Sequence, residues 1–219
     1  LPGGDACIRH PVRIALSMLH DADISADGLE IKQLMKPSEL RLLWRQLSID
    51  IRCVPTSSVG RLFDAVAAIC GFHQTVTFEG QAAMQLESAA EAWFRENTKA
   101  EIYPFENIES DPVRVDWRPW LAAIIDDVRS QVEPGRIAAR FHETMATVIG
   151  EVCDRLGQQQ SDATVGLTGG VFQNTLLTTL TRDRLISSGW QVITHQIVPP
   201  NDGGLSLGQA YIAKFGGSS

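Results

Sequence analysis

The 219-residue chain reads as a helix-rich α/β fold, with a helical N-terminal half (1–110) and a C-terminal half (111–219) built on a small parallel βαβ sheet. Three observations carry this expectation. Apolar residues recur at helical spacing through most of the first 157 positions. Only two β-prone runs stand out in the C-terminal half, 164–168 and 190–194, with a helical pattern between them. A composition of 44% hydrophobic and 21% charged residues belongs to a folded globular chain rather than a disordered one.

The elements come in this order. Residues 8–22 carry apolar side chains at helical spacing, and so do residues 29–47. Pro37 divides the second run into two shorter helices, because proline lacks the N–H and clashes with the preceding turn. Ser57 and Ser58 offer an N-cap to an apolar helix that runs through Cys70, where Gly71 is placed to end it. A further helix spans about 81–95. Residues 97–113, with Pro104, Pro112 and the polar cluster Glu106 to Asp111, read as a long loop or subdomain boundary. Residues 117–132 are helical. After Pro134-Gly135, the positions Ile137, Phe141, Met145, Val148, Ile149, Val152 and Leu156 form one apolar stripe, expected to bury one helix face.

The last sixty or so residues change character. Thr164 to Thr168 is a strand closing on Gly169-Gly170; a helix comes next with Phe172, Leu176, Leu177 and Leu180 on one side, and Trp190 to Thr194 is a second strand. Strand–helix–strand over so short a span implies parallel strands and a crossover helix. Asn201-Asp202-Gly203-Gly204 then leads into a small-residue helix, in which Gly208, Ala210 and Ala213 are expected to allow close packing on the sheet.

Charge and cysteine usage exclude several classes. Lys and Arg total 19 against 26 Asp and Glu, a net charge of −7, so neither nucleic acid nor an anionic membrane surface is an expected partner. No apolar run approaches the ~20 residues of a membrane-spanning helix, and no signal peptide is visible. Cys7, Cys53, Cys70 and Cys153 show no CxxC spacing and read as reduced thiols of a cytoplasmic protein. The five histidines show no HxxxH or HExxH pattern, so no single helix carries a histidine metal site. Leu1-Pro2-Gly3-Gly4 resembles a turn rather than a translation start, and the chain is expected to be part of a longer protein.

The chemistry concentrates at two strand-to-helix junctions. A glycine pair there serves either as a tight turn or as a place where backbone approaches a phosphate beside a helix N-terminus. Gly169-Gly170 leaves both readings open, since it matches neither GxGxxG nor the Walker pattern. Asp202 lies at the second junction, on the same carboxyl edge where open α/β sheets bind ligands. It is expected either to cap the helix or to point at a metal or a ligand hydroxyl. Asp64 and Glu79, near two other helix starts, are singly ordinary capping or solvated carboxylates; together they could grip a vicinal diol.

Six segments make this specific: Leu1-Pro2-Gly3-Gly4-Asp5, Ser57 to Ala65, Phe78 to Ala83, Asp116-Trp117-Arg118-Pro119, Gly169 to Asn174, and Pro199 to Gly204. Their identity and order resemble the C-terminal part of the HypF family, the carbamoyltransferases of nickel–iron hydrogenase maturation, over essentially the whole chain. That part of HypF is similar to the TsaD enzymes of tRNA modification and to antibiotic O-carbamoyltransferases. The resemblance therefore implies a partial lobe of the actin-like, sugar-kinase superfamily. It also implies use of ATP and carbamoyl phosphate to form carbamoyl-adenylate, with the carbamoyl group passed to the C-terminal cysteine of the partner HypE and later converted to a cyanide ligand of the hydrogenase iron.

Carried over by position, Gly169, Gly170, Phe172 and Asn174 would line an adenosine pocket, with Gly60 and Gly203 beside the nucleotide. Asp64 and Glu79 would hold the ribose hydroxyls. Asp202 would act through a divalent metal, Fe, Zn or Mg. The histidine pair that the resemblance implies as the remaining metal ligands is not within these 219 residues, nor are the YrdC-like, zinc-finger-like and acylphosphatase parts of HypF. One carboxylate supplies little of a coordination shell, so these residues alone are expected not to catalyse transfer. Two alternatives remain: a non-catalytic module docking HypE or the remaining HypF domains, and part of a small-molecule O-carbamoyltransferase. A sheet edge left without its neighbouring strands is expected to be paired by another chain, covered by a rearranged segment, or aggregation-prone.

Overall fold

The computed structural model describes residues 1–72, 75–108, 112, 114–157 and 163–216. Its helices are α1 (Pro11–Asp21), α2 (Pro37–Ser48), α3 (Val59–Ile69), α4 (Gln81–Phe94), α5 (Arg118–Arg129), α6 (Pro134–Gly157), α7 (Thr175–Ser187) and α8 (Leu205–Phe215). The strands are β1 (Glu106–Ile108), β2 (Arg114–Asp116), β3 (Thr164–Leu167) and β4 (Gln191–Thr194). Short 3-10 turns cover Gly4–Arg9, Glu30–Leu34, Gly170–Gln173 and Asp202–Gly204. The chain therefore has the helix-rich composition and small parallel sheet that the sequence implies. It divides into two compact units, Leu1–Thr144 and Met145–Ser219.

Local signals place most helix starts. Pro11, Pro37 and Pro119 stand in the first turns of α1, α2 and α5, where the missing N–H has no intrahelical partner to lose. Pro37 thus begins α2, and the residues before it form only the 3-10 turn Glu30–Leu34. The Ser58 hydroxyl accepts from the Arg61 amide at 3.4 Å and caps α3. Gly71, at φ +85°, lets the chain leave that helix in a left-handed conformation.

In the first unit, α3 is the central element. Phe63 through Ile69 are all buried, and α1 and α4 pack on it. The Phe63 ring meets Phe141 edge-on at 4.9 Å and His142 at 5.3 Å; Trp120 meets Phe141 at 6.4 Å. Ile137, Ala138, Ala139, Phe141, His142 and Thr144 are all buried, so this end of α6 is enclosed on more than the one face its apolar stripe suggests. At the far end of α6 the stripe stops working: Leu156 is 70% exposed.

The 97–113 connector is not simply a loop. Tyr103 is fully buried; its hydroxyl donates to Asp127 Oδ2 at 2.6 Å, and its amide donates to Thr144 Oγ1 at 2.8 Å. Arg140 pairs with the same Asp127 carboxylate and lies over the Tyr103 ring, 4.1 Å from its centre. β1 and β2 then form an antiparallel pair, with Glu106 opposite Asp116. Residues 109–111 and 113 of this connector lie outside the described residues.

In the second unit, β3 and β4 pair in parallel from Thr164 opposite Gln191 to Leu167 opposite Thr194. No third strand joins them among the described residues. Leu177, Thr181 and Leu185 form the buried face of α7, and Phe172 lies in the 3-10 turn before it. Trp190 lies over Gly157, where a Cβ would fall 2.0 Å from the ring, and its indole N–H donates to Asp154 Oδ1 at 2.6 Å. The start of β4 is thereby fixed to the end of α6.

The expected close packing of α8 on the sheet is not found. Every residue of α8 is exposed, and a Cβ on Gly208 would meet nothing within 4 Å. Two four-residue strands offer a face only about 13 Å long. The eleven-residue helix is about 16 Å long.

His142 yields a pH test. It is fully buried, with Nδ1 2.8 Å from the Ala138 carbonyl, and burial pulls its pKa down from 6.5 to about 4. Between those values the unfolded chain binds the proton more tightly, so stability is lost as pH falls through that window. The full effect is at most about 3 kcal/mol. Denaturant titrations at pH 7 and pH 4.5 should show a smaller acid loss in His142→Phe than in the wild type. An equal loss in both would remove His142 as a cause.

Candidate functional site

The parallel register brings the carboxyl ends of β3 and β4 to one edge, so the residues after Leu167 and after Thr194 emerge side by side. The two loops are joined directly. Gly169 N–H donates to the Pro200 carbonyl at 2.7 Å, and Thr168 Oγ1 lies 2.9 Å from His195 Nε2. Gly169 has φ +103° and ψ 156°, a region open essentially to glycine alone. A Cβ there would meet nothing within 4 Å, so conformation rather than crowding requires the glycine.

Six of the residues named from the sequence fall on this edge: Gly169, Gly170, Phe172, Asn174, Asp202 and Gly203. Their roles differ in detail from the simplest expectation. The Gly169 amide holds the two loops together and is not free for a ligand. Asn174 Oδ1 accepts from the Leu177 amide at 2.7 Å and caps α7. Asn201, not Asp202, makes the turn at the second junction: its Oδ1 accepts from Gly203 N–H and its carbonyl accepts from Gly204 N–H, both at 3.0 Å. The Asp202 side chain is left exposed on the edge. The N-termini of α7 and α8 come directly after these turns, with the partial positive charge that favours an anion.

Gly60, Asp64 and Glu79 belong to the first unit. Gly60 lies in the first turn of α3, where a Cβ would make only an ordinary 3.6 Å contact with Ser58 Oγ. Asp64 is only 3% exposed, and burial pushes its carboxyl up from 3.8 to about 6, against the opposing pull of Arg61. Arg61 Nη1 lies 3.0 Å from Asp64 Oδ2, and Nη2 lies 3.8 Å from Glu79 Oε1. Glu79 itself is solvent-facing and precedes Gly80, whose φ of +79° starts α4. Arg61 is absent from the residues singled out by sequence; its i, i+3 spacing to Asp64 is the signal that points to it.

The donor set does not suit a metal by itself. Among the described residues, no group of three or more His, Cys, Asp or Glu side chains could hold one, and Asp202 offers a single carboxylate. All four cysteines are unpaired, and burial raises each thiol above its usual range. None has the lowered pKa of an activated nucleophile. No described helix is long and apolar enough to cross a membrane.

The second unit carries a parallel strand pair with glycine turns at its carboxyl edge, and the first is a helical unit with a buried acidic residue, the features of an α/β domain with a helical part. Residues 1–209 match the family described as "Carbamoyltransferase, Kae1-like Domain, second subdomain", and the chain belongs to that HypF family. It is 35% identical to carbamoyltransferase HypF of Synechocystis sp. over 95% of this chain and 28% of that protein, and 36% identical to the Rhodobacter capsulatus HypF over 97% and 26%. A HypF homolog of Cupriavidus necator is 31% identical over 97% of this chain and 55% of its own length. A full-length HypF crystallised in a phosphate- and nucleotide-bound form superposes with a TM-score of 0.85 at 34% identity, over all of this chain and 28% of that one. The chain thus spans about a quarter of the length of the HypF proteins of Synechocystis and Rhodobacter.

The two glycines of the β3 region separate conformation from crowding. Gly166 has neither a positive φ nor any neighbour within 4 Å of a Cβ, whereas Gly169 has the positive φ alone. Gly169→Ala should cost about 1–3 kcal/mol in chemical denaturation. Gly166→Ala should be neutral or stabilising by up to about 1 kcal/mol. Equal effects would contradict the conformational account of the turn.

Proposed function

We propose that this chain is the nucleotide-holding part of a HypF-type carbamoyltransferase. The observation that carries the reading is the joined carboxyl edge of β3 and β4, where Gly169–Asn174 and Asn201–Gly204 meet through the 2.7 Å Gly169–Pro200 hydrogen bond. An anion set at this edge would face two helix N-termini and exposed turn backbone. Gly170 and Gly203 keep side chains out of its way, Phe172 offers an apolar surface for a base, and the Asn174 amide group offers a donor. In the first unit, taken by itself, Asp64 and Glu79 are the carboxylates suited to accept from the two hydroxyls of a ribose.

In the intact protein, the reaction is the conversion of carbamoyl phosphate and ATP to carbamoyl-adenylate with release of phosphate and pyrophosphate, followed by transfer of the carbamoyl group to the C-terminal cysteine thiol of HypE with release of AMP and the thiol proton. The parts of HypF beyond this stretch and HypE itself are then its partners, in the cytoplasm. This chain's contribution is to bind and orient the adenylate, since it brings no activated thiol. Among the described residues of this edge, Asp202 carries a carboxylate that could lend an oxygen to a divalent metal, and no step is assigned to it. The family's bound phosphate and nucleotide in a structure 34% identical to this chain support the reading.

A second reading, a docking module for those partners, is favoured by α8. Leu205, Leu207, Tyr211, Ile212 and Phe215 are each more than half exposed on it.

Calorimetry with ATP and AMP on the intact protein tests the pocket. Asn174→Asp keeps a good helix cap but replaces the amide donor, and Asp64→Asn removes the charged acceptor. Each should weaken nucleotide binding by about tenfold, the loss of one charge-assisted or specific hydrogen bond. Unchanged affinity in both variants would sink the pocket assignment.

A further inference from the structure

The acidic pair of the first unit is organised by a third residue. Arg61 enters from the first turn of α3, is itself only 9% exposed, and extends one guanidinium nitrogen to each carboxylate: Nη1 to Asp64 at 3.0 Å and Nη2 to Glu79 at 3.8 Å. Nη1 makes no hydrogen bond of good geometry, so its contact with Asp64 is electrostatic. The two carboxylates come from different elements, α3 and the segment before α4. Their separation is therefore not fixed by one helix, and a planar fork reaching both is what relates them.

We propose that Arg61 is the positioning residue of this pair, holding Asp64 and Glu79 together as ionised acceptors for the two hydroxyls of a vicinal diol. The inference rests on the nucleotide reading above and adds the residue that makes the pair competent. A buried carboxylate without a cation takes up a proton and ceases to be a double acceptor. The charges acting on Asp64 are Arg61, which lowers its pKa, and Glu79, which raises it. Arg13, His20 and Asp21 of α1, Glu87 and Glu91 of α4, and His142 of α6 are among the other titratable groups on the helices around α3. Arg61 is thus the cation paired with Asp64, and it favours the charged form of that carboxylate.

The test is the preference of the intact protein for ATP over 2′,3′-dideoxy-ATP, measured by calorimetry from pH 5.5 to 8.5. The wild type should prefer ATP and lose that preference as pH falls through about 6, where Asp64 takes up its proton. Arg61→Gln should lower the preference at pH 7 by about tenfold and move its pH midpoint upward by about one unit or more. The preference should return at the alkaline end. A merely structural ion pair would lower the affinity for both nucleotides alike, with no change in midpoint, and that result overturns the proposal. A wild type without any preference overturns the diol reading itself, and the role of Arg61 with it. If Arg61→Gln does not fold, Arg61→Lys decides. Its compact ammonium keeps a charge beside Asp64 but cannot fork to both carboxylates, so the midpoint should stay while the preference drops. An undiminished preference in Arg61→Lys overturns the proposal.

Discussion

The parallel pairing of β3 with β4 is the constraint on which the candidate site depends. Because the strands run the same way, both of their exits lie at one edge, and the turns that leave them can be tied together. The tie is the Gly169–Pro200 hydrogen bond, and it requires Gly169 to hold a backbone conformation that a side chain would forbid. Two polar caps, Asn174 and Asn201, then set the exits: the first begins α7 and the second folds the turn before α8. The start of β4 is anchored by the Trp190–Asp154 hydrogen bond to α6. Each element of the edge is thereby positioned by a contact that also satisfies a backbone or side-chain polar group.

The first unit solves a different problem. It buries a carboxylate, Asp64, in its central helix, which is costly unless a partner is supplied. Arg61 is that partner, and it reaches out of the buried layer to a solvent-facing second carboxylate. Nearby, Tyr103, Asp127, Arg140 and Thr144 form a second polar set that fixes the connector against α5 and α6. The polar groups in this apolar unit are thus arranged in small sets, which is how buried polar atoms are tolerated.

The sequence makes legible whatever local chemistry decides. Pro37, the Ser58 cap and Gly71 announce helix boundaries, and the strand–helix–strand pattern from Thr164 to Thr194 announces the parallel sheet. The six ordered motifs point to HypF, and the family match over 1–209 bears that out. Features that depend on partners distant in sequence stay hidden. The three-residue strands β1 and β2 are too short to show periodicity. Leu156 continues a helical stripe but meets no core, and Gly208, Ala210 and Ala213 look like packing residues on a helix that has no broad sheet face to cover. The choice of Asn201 over Asp202 as the turn residue is a matter of one-residue geometry. Arg61 looks like any helix-surface arginine until the fold brings Glu79 within its reach.

Backbone hydrogen exchange on the intact protein, with and without ATP, tests the central claim most directly, because it reports the amides of the edge themselves. The account predicts added protection at Gly170–Leu177 and at Asn201–Gly204 when nucleotide is present, with β1 and β2 unchanged. Protection confined to other segments, with both turns exchanging as before, would contradict the assignment of the β3–β4 edge as the nucleotide site.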